Sequence, residues 1–396
     1  MKNHSRIFII LIFFLSGLSC PLPAQAPAMY AIDTTASEPY NFLDTLLEGK
    51  RVVALGEISH GDGSTFQEKT SLIKYLHDKL GFRVILFESS FVQMELMNRN
   101  HFITDSLTGN LFSIWKNVNE TQALFRFMKA GKMILSGFDC QYYRNRYHIE
   151  DSVCSIYASK IEALKPASDF RETLRVLCEH YGTSATLIPK KDQKECLMIL
   201  NALILEQTDT LQEHDSFWNQ VLVSMYGYAR ASWEKDIMKA NYIRDQYMAD
   251  NLLWLLNHSY AGEKVIVWAA TEHICTNQVM LYKQKQKEGS KDFYKTGDFL
   301  RESLHEKLFT ISFIYDHGST LWAGDSYHAD RAGNTLEKSL AEKYSKAFVV
   351  TKYLQPCVVN GTETNQLYGS KYADWKLVCD GFYFISNMQV STPMKK

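Results

Sequence analysis

Four short apolar runs in this chain each end in an acidic residue or a histidine. Each run is rich in Val, Ile, Leu or Phe, which is typical of a buried strand in a parallel sheet. The runs, with the polar residues that follow them, are Val52–Leu55 with Glu57 and His60, Val84–Phe87 with Glu88, Met133–Phe138 with Asp139, and Val265–Ala270 with Glu272 and His273. Ligands of open α/β sheets bind beyond the carboxyl ends of the strands. The pattern therefore predicts an active site where these side chains converge.

The order of the predicted elements favours an α/β fold, with a mostly parallel sheet flanked by helices. A strand at Arg51–Leu55, a helix at Thr65–Leu80 and a strand at Arg83–Glu88 form a compact βαβ unit. Further strands are predicted at Lys132–Asp139, Lys264–Ala270, Lys307–Tyr315, Ala347–Tyr353 and Gly381–Ile385.

Between these strands, residues 148–260 are predicted to form a helical insertion or lid. The polar segment Lys285–Asp298 is predicted to be a mobile loop. The length of the chain suits one large domain, and we assign it to residues 27–396.

Residues 1–26 have the features of a secretory signal peptide. Lys2 and Arg6 precede the apolar stretch Ile7–Leu15, and Ala24–Ala26 fits a small-x-small cleavage site. A lipoprotein anchor at Cys20 is the alternative. We therefore expect a periplasmic or secreted protein. No other segment approaches about 18 unbroken apolar residues, so no stable membrane insertion of the mature chain is expected.

Charge and cysteine spacing exclude some classes of function. A formal net charge of −1 over 396 residues provides no electrostatic basis for binding nucleic acid or an anionic membrane. The cysteines are scattered and form no CxxC pair, which argues against a structural metal site. An exported protein is permitted disulfides, but the spacing does not indicate which cysteines would pair.

Glu57 and His60 are the first candidates for chemistry. The glycines around them allow a tight turn, so both side chains can point into the crevice. A histidine placed there is a natural general base, and a carboxylate partner raises its basicity and fixes its tautomer. The alternative is a loop histidine with a capping neighbour.

Two cationic side chains add to this pair. Lys69 falls on the apolar stripe of the predicted helix Thr65–Leu80, where a lysine needs a counter-charge such as Glu57 or Glu88, or a substrate anion. Arg244 shares one face of a second predicted helix with Asn251, and a structural role is the favoured interpretation there.

His273 can give a proton to a leaving group or hold an oxyanion. The candidate catalytic residues are therefore His60, Glu57, Glu88 and His273. The candidate substrate-binding residues are Lys69, Asp139, Glu272 and Arg244.

Two other chemistries remain open. Ser59 and Ser64 lie near His60 in the sequence, so a serine nucleophile is one alternative to activated water. The carboxylates and imidazoles could also hold a divalent metal. A lysine at position 69 would disfavour a cation, so we expect neither a metal nor another cofactor.

Several spaced motifs resemble the erythromycin esterase family, in the family's order and over nearly the whole mature chain. These segments are Gly56–Gly61, Phe82–Glu88, Gly137–Asp139, Arg244–Asn251, Thr296–Arg301 and Asp380–Ile385. The resemblance implies a metal-independent hydrolase that opens a macrolide lactone with activated water. It also implies roles for single residues: the general base falls on His60, its neighbouring glutamate on Glu57, the basic helix residue on Lys69 and the second-strand glutamate on Glu88.

The chain departs from the family pattern at the strand motif Trp-Ala-His-Asn-x-His. Ala270 stands in place of the first histidine and Thr271 in place of the asparagine, and Ser64 lies near the position of another family glutamate. Alanine can neither donate nor accept a hydrogen bond through its side chain. Either His273 and Glu272 compensate, or the substrate or the chemistry has changed.

We therefore expect hydrolysis of a small-molecule ester or lactone. His60 would activate the water and Glu57 would orient it, while Glu88 would position the water or Lys69. Lys69 and His273 would stabilise the developing charge. The alternatives are a metal-dependent hydrolase or peptidase that uses the same residues, and a diverged binding protein without turnover.

Overall fold

The computed structural model describes residues 29–99, 108–131, 133–142, 147–180, 182–205, 213–281, 293–322, 325–330, 334–360 and 371–394. The predicted leader (residues 1–26), Cys20, Lys132 and residues 285–292 of the predicted loop lie outside these ranges.

The strands of the described chain are β1 Met29–Ala31, β2 Val52–Glu57, β3 Val84–Ser90, β4 Ile134–Asp139, β5 Val265–Ala270, β6 Leu308–Trp322, β7 Asp325–Asp330, β8 Lys346–Val350, β9 Cys357–Val359, β10 Lys371–Ala373 and β11 Gly381–Met388. Its α-helices are α1 Phe42–Leu46, α2 Gly63–Leu80, α3 Phe91–Arg99, α4 Ser113–Lys116, α5 Asn119–Gly131, α6 Ile149–Ile156, α7 Ala158–Leu164, α8 Phe170–Glu179, α9 Ser184–Leu187, α10 Lys190–Leu205, α11 Glu213–Trp233, α12 Ile237–Asn257, α13 Thr271–Ile274, α14 Gln278–Leu281, α15 Thr296–Leu304 and α16 Leu336–Ala341.

A nine-stranded sheet forms the centre of the fold. Its order is β1-β8-β11-β6-β2-β5-β3-β4, with β7 paired to β6. The strands from β11 to β4 are parallel to one another, whereas β8 runs antiparallel to both β1 and β11 and β7 runs antiparallel to β6. The prediction of a mostly parallel sheet flanked by helices is confirmed.

Both faces of the sheet are covered, which is why its strands read as nearly continuous apolar runs. Along β2, Val52 and Ala54 face one apolar core, and Val53 and Leu55 face the other. Helices α3, α6, α8 and α10–α12 pack on the first core, and α1, α2 and α5 on the second. The result is a three-layer α/β/α arrangement.

Between β4 and β5 the described chain is helical, from α6 to α12. Helix α12 docks this segment on β4, where the Asn251 side chain donates a hydrogen bond to the Phe138 carbonyl at 3.1 Å. This contact to a backbone carbonyl agrees with a structural role for Asn251. None of the helices in the described ranges is long and apolar enough to cross a membrane.

The prediction of a mobile loop is wrong at its C-terminal end. Helix α15 begins at Thr296, within the predicted loop. The Asp298 side chain accepts the Lys295 backbone N–H at 2.9 Å and caps the helix. Thr296 also donates its hydroxyl to Asp245 at 2.9 Å, so a buried partner anchors this polar sequence.

Candidate active site

The carboxyl ends of neighbouring strands bring the predicted catalytic residues to one edge of the sheet. Glu57 ends β2, Glu88 lies in β3, and His273 lies in α13 directly after β5. The strands are adjacent in the order β2-β5-β3. His60 lies in the loop that joins β2 to α2. All four side chains therefore share one site.

The turn that carries His60 is packed too closely for any residue but glycine at position 61. A Cβ on Gly61 would lie 2.3 Å from the Cβ of Leu321. The buried Asp62 carboxylate accepts the Ser59 backbone N–H at 3.0 Å and so fixes the turn. The His60 side chain keeps 26% of its surface exposed, which makes it the most accessible of the predicted catalytic residues.

Glu57 is fully buried beneath His60, and both its oxygens are hydrogen-bonded. Oε1 lies 3.2 Å from His60 Nδ1 and accepts the indole N–H of Trp115, also at 3.2 Å. Oε2 accepts from the Lys69 ammonium. Because Nδ1 faces a carboxylate, we assign the proton of neutral His60 to Nδ1, which leaves Nε2 open as an acceptor.

The environment of His60 strengthens it as a base. Burial acts to lower the pKa of His60, but the hydrogen bond to Glu57 and the negative charges of Glu88 and Glu57 outweigh burial. The pKa of His60 is therefore raised above 6.5.

Lys69 supports the site from below. Its ammonium bonds Glu57, donates to the Leu55 carbonyl at 2.7 Å and lies 4.6 Å from the centre of the Trp268 ring. Burial lowers the pKa of Lys69, although the charge of Glu57 opposes this effect. The side chain has no exposed surface. The structure therefore places Lys69 behind Glu57, where it supports that carboxylate. This differs from the prediction that Lys69 contacts the substrate.

Glu88 lies at the centre of the cluster. Its Oε1 accepts from Arg244 Nη2 at 2.7 Å and lies 3.3 Å from His273 Nε2 and 4.0 Å from His60 Nε2. Its Oε2 accepts the Ala270 backbone N–H at 3.0 Å. Burial would raise the pKa of Glu88, but the charges of His273 and Arg244 outweigh burial and hold that pKa well below its usual value.

Asp139 anchors Arg244 from the neighbouring strand. The guanidinium donates through Nε to Asp139 Oδ1 at 3.2 Å and through Nη2 to Asp139 Oδ2 at 2.6 Å, a bidentate geometry that fixes its plane. The Asp139 side chain is fully buried, whereas 16% of the Arg244 side chain is exposed. Arg244 is therefore placed to reach a ligand, and Asp139 is placed to hold Arg244.

His273 is held by a second carboxylate, which the sequence reasoning missed. Its Nδ1 lies 2.7 Å from Asp245 Oδ1. Burial acts to lower the pKa of His273, but the charges of Asp245 and Glu88 outweigh burial and raise that pKa to about 10. His273 is therefore an imidazolium at neutral pH, and its Nε2–H points at Glu88.

Lys295 closes the far end of this network. Its ammonium lies 3.0 Å from Asp245 and 3.1 Å from Glu272. The Lys295 side chain is 2% exposed and that of Glu272 is 35% exposed. The structure thus places Glu272 in an ion pair at the rim, one residue from His273.

Three residues of the site escaped the sequence reasoning, for different reasons. Asp245 lies about 100° around α12 from Arg244, so it is not on the helical face that Arg244 shares with Asn251. Lys295 lay in a predicted loop, and Trp115 comes from the short helix α4 with no pattern that marks it. The pairing of Asp245 with the helix start at Thr296 is visible only in the fold.

The structure shows where the two candidate serines and a candidate group of metal ligands lie. The Ser59 hydroxyl bonds the Leu321 carbonyl, and the Ser64 hydroxyl accepts the Gln389 N–H at 2.9 Å, so neither contacts His60. Within the described residues, the three side chains placed to share a metal ion are His148, Glu150 and Asp151, and the predicted site contributes none of them.

Comparison with known proteins identifies the family of this chain. The family model for erythromycin esterase matches residues 77–368. The chain belongs to the erythromycin esterase family. The match contains Glu88, Asp139, Arg244 and His273, whereas His60 precedes it.

Two curated relatives resemble most of the chain. The Bacillus subtilis (strain 168) protein named "Putative hydrolase YbfO" is 24% identical over 321 residues, which cover 74% of this chain and 70% of that protein. Erythromycin esterase type II of Escherichia coli is 20% identical over 314 residues, which cover 70% of this chain and 72% of that enzyme. The erythromycin esterase family and these relatives support a hydrolase.

Solved structures share the fold over 93% of this chain. A protein titled as a succinoglycan biosynthesis protein superposes with a TM-score of 0.72 at 17% identity over 96% of its chain. A Bacillus cereus protein gives 0.73 at 15% over 97% of its chain. An erythromycin esterase mutant in its open conformation gives 0.66 at 13% over its whole chain. At these identities the likeness establishes the fold.

The buried pair of Lys69 and Glu57 generates a stability prediction. We expect Lys69→Met to reduce the free energy of unfolding by about 3–5 kcal/mol, because it leaves the Glu57 carboxylate buried without its cation. Urea unfolding measures the change. Lys79→Met is the control on the same helix; Lys79 pairs with Glu38 at the surface, where both side chains are about half exposed.

The control should leave the unfolding midpoint unchanged. Adding Glu57→Gln to Lys69→Met should recover part of the lost stability, since it removes the uncompensated charge. A double variant as unstable as the single one would show that the unpaired charge is not the cause.

Proposed function

We propose that this erythromycin esterase family protein hydrolyses a carboxylic ester or lactone with water activated by His60. One observation carries the proposal. His60 is held through Nδ1 by a buried carboxylate, 3.2 Å away, while its ring remains 26% exposed beside Glu88 and Arg244. This combination of a fixed tautomer and an accessible Nε2 is what a general base requires.

The water would sit between His60 and Glu88. His60 Nε2 and Glu88 Oε1 are 4.0 Å apart, so one water molecule on the open side can hydrogen-bond to both at about 2.8 Å. His60 would take a proton from this water as its oxygen attacks the carbonyl carbon. The resulting imidazolium would then give the proton to the leaving alkoxide, which yields a carboxylic acid and an alcohol.

Arg244 and His273 would stabilise the oxyanion. Arg244 Nη1 and His273 Nε2 are 3.2 Å apart. Glu88 Oε1, which would hold the proposed water, lies 2.7 Å from Arg244 Nη2 and 3.3 Å from His273 Nε2. Both groups are cationic, and Asp139 and Asp245 hold them in place from behind. Fixed cations aimed at the developing charge need no reorganisation during the reaction. The candidate roles of Asp139 and Lys69 thus become positioning of Arg244 and of Glu57.

The same contacts favour a reaction without a metal. Each buried carboxylate of the site already has a cationic partner: Lys69 on Glu57, Arg244 on both Glu88 and Asp139, and Lys295 on Asp245. A divalent ion would have to displace these partners.

The identity of residue 270 bears on the substrate. Ala270 uses its backbone N–H to bond Glu88, and its side chain offers no proton donor to the cleft. The position that carries a histidine in the family motif therefore supplies no side-chain hydrogen bond or proton here. This favours an ester or lactone other than a macrolide, and it keeps a diverged binding protein as the outcome expected if no substrate is turned over.

Residues 1–26 support a proposal about location. We propose that they direct export and are removed, which leaves a periplasmic or secreted protein. N-terminal sequencing of the exported protein should then begin at Pro27, whereas a lipid-modified Cys20 would identify a lipoprotein.

Removal of the base is the direct test of function. We expect the purified protein to add one water to at least one member of a panel of aryl esters, lactones and macrolides that includes erythromycin. His60→Ala should lower kcat/KM by about 10²–10⁴-fold, as measured by mass spectrometry of the products. His77→Ala, on α2 and paired with Asp78, is the matched control.

Equal activity of His60→Ala and the wild type would exclude His60 as the base. Activity that chelation abolishes and added metal restores would instead identify a metal-dependent hydrolase. Binding without turnover of any panel member would favour the diverged binding protein.

The pKa of His60 predicts the acid side of the pH profile. Because the neutral imidazole is the active form, kcat/KM should rise with pH, with a midpoint above 6.5. Glu88→Gln removes a negative charge 4.0 Å from Nε2, so the pKa of His60 should fall and the midpoint should move to lower pH. Profiles of the wild type, Glu88→Gln and the surface variant Glu120→Gln measure this; an unmoved midpoint in Glu88→Gln would contradict the assignment.

Asp245 is predicted to act through His273. Asp245→Asn should lower the pKa of His273, which NMR titration of the imidazole measures, and should reduce kcat/KM on the order of 10–100-fold by weakening oxyanion stabilisation. Asp250→Asn, five residues further along the same helix, is the matched control and should change neither quantity. An unchanged pKa of His273 in Asp245→Asn would contradict the role of Asp245 in holding His273 as a cation.

A further inference from the structure

Two segments of the chain lie side by side close to His273. Residues 275–277 follow α13, and residues 377–379 precede β11. The Thr276 N–H donates to the Val378 carbonyl at 2.9 Å, and its hydroxyl donates to the Leu377 carbonyl at 2.7 Å. The Asn277 side-chain amide also donates to the Leu377 carbonyl at 2.7 Å. These bonds hold the two segments side by side, and Cys275 and Cys379 come directly before Thr276 and directly after Val378.

The two thiols meet in an apolar environment. Cys275 and Cys379 are 1% and 2% exposed, and they share a buried cluster with Ile314, Trp375 and Phe382. Their side chains interact directly. A disulfide needs Cα atoms about 4.4–6.8 Å apart, and two cysteine side chains in direct contact meet the first requirement for that geometry.

Other cysteines of the described chain also lie near one another. Cys178 and Cys196 come from α8 and α10, and their thiols influence each other through charge. Both are buried on helices, so they provide a matched comparison.

The reactivity of the pair depends on when it is exposed. Burial and the contact with Cys275 raise the pKa of the Cys379 thiol well above its usual value. Since the thiolate is the attacking species, exchange in the folded protein is slow. The bond would therefore form while the chain folds, before the cluster closes over the thiols.

We propose that Cys275 and Cys379 form a disulfide when the protein folds in an oxidising thiol–disulfide environment. One cysteine thiolate attacks a low-molecular-weight disulfide such as oxidised glutathione and releases one glutathione thiolate. The second cysteine then displaces the other glutathione and closes the S–S bond. The cysteine pair loses two protons and two electrons, and the oxidant gains them as two thiols.

This bond would tie the active site to the C-terminal part of the sheet. Cys275 comes two residues after His273, and Cys379 comes two residues before β11. The closed loop contains about 100 residues, a length for which restriction of the unfolded chain stabilises the fold. The proposal concerns folding and does not depend on the hydrolytic reaction.

Peptide mapping tests the proposal directly. The protein is unfolded and reduced, then refolded either with reduced and oxidised glutathione or with excess reductant, and free thiols are alkylated before digestion. Mass spectrometry without reduction should find the Cys275 and Cys379 peptides linked in the first sample, lighter by two hydrogen atoms than their sum. The sample refolded in glutathione should also melt about 2–6 °C higher.

Matched variants separate this pair from the other cysteines. Cys275→Ser and Cys379→Ser should abolish the linked peptide and the difference in Tm between the two conditions, while Cys178→Ser and Cys196→Ser should preserve both. Wild-type protein alkylated at both Cys275 and Cys379 after oxidative refolding would overturn the proposal, as would either residue linked to a different cysteine. The peptide map of the wild-type protein tests the proposal even if a serine variant fails to fold.

Discussion

The buried carboxylate of Glu88 is the group on which the rest of the site depends. A carboxylate at the end of an apolar strand is costly to bury unless cations and hydrogen-bond donors surround it. Arg244, His273 and the Ala270 N–H meet that requirement from α12, α13 and β5. Each of these partners is also held in place by a further contact. The need to neutralise one buried charge therefore fixes the helical segment, the strand ends and α13 relative to one another.

The charges of the site alternate as the network extends away from Glu88. On one side, Arg244 forms an ion pair with Asp139. On the other, His273 pairs with Asp245, Asp245 with Lys295, and Lys295 with Glu272 at the rim. Such alternation gives the two histidines different protonation states. Two carboxylates hold His273 as an imidazolium with a pKa of about 10. His60 lies at the accessible edge, where Glu57 and Glu88 raise its pKa against the effect of burial.

The family resemblance extends over the framework, and Ala270 is one of the positions where the sequence departs from the family motif. Solved relatives share the sheet and its helices at 13–17% identity, so the fold tolerates extensive change in sequence. Position 270 shows how a site can change within it. Its backbone still satisfies Glu88, because a main-chain N–H is available whatever the side chain. The bond to Glu88 therefore does not depend on which side chain occupies position 270.

The sequence by itself determined the sheet and the edge at which the site forms. Buried parallel strands must be apolar on both faces, so the acids and histidines after the runs in β2, β3, β4 and β5 stand out in the printed sequence. It also indicated that Lys69 would need a counter-charge, because a charged side chain on an apolar helix face is costly to leave unpaired.

Only the tertiary structure decided which charges pair. Glu57 takes Lys69, Asp139 takes Arg244, and Asp245 takes His273 across a separation of 28 residues. Pairing depends on distances of about 3 Å between groups that are remote in sequence, and side-chain periodicity gives direction on one element but no distance between elements. For the same reason Lys295 was not recognised and Lys69 was expected to touch substrate: whether a lysine faces a cleft or lies behind a carboxylate is fixed by how the layers pack.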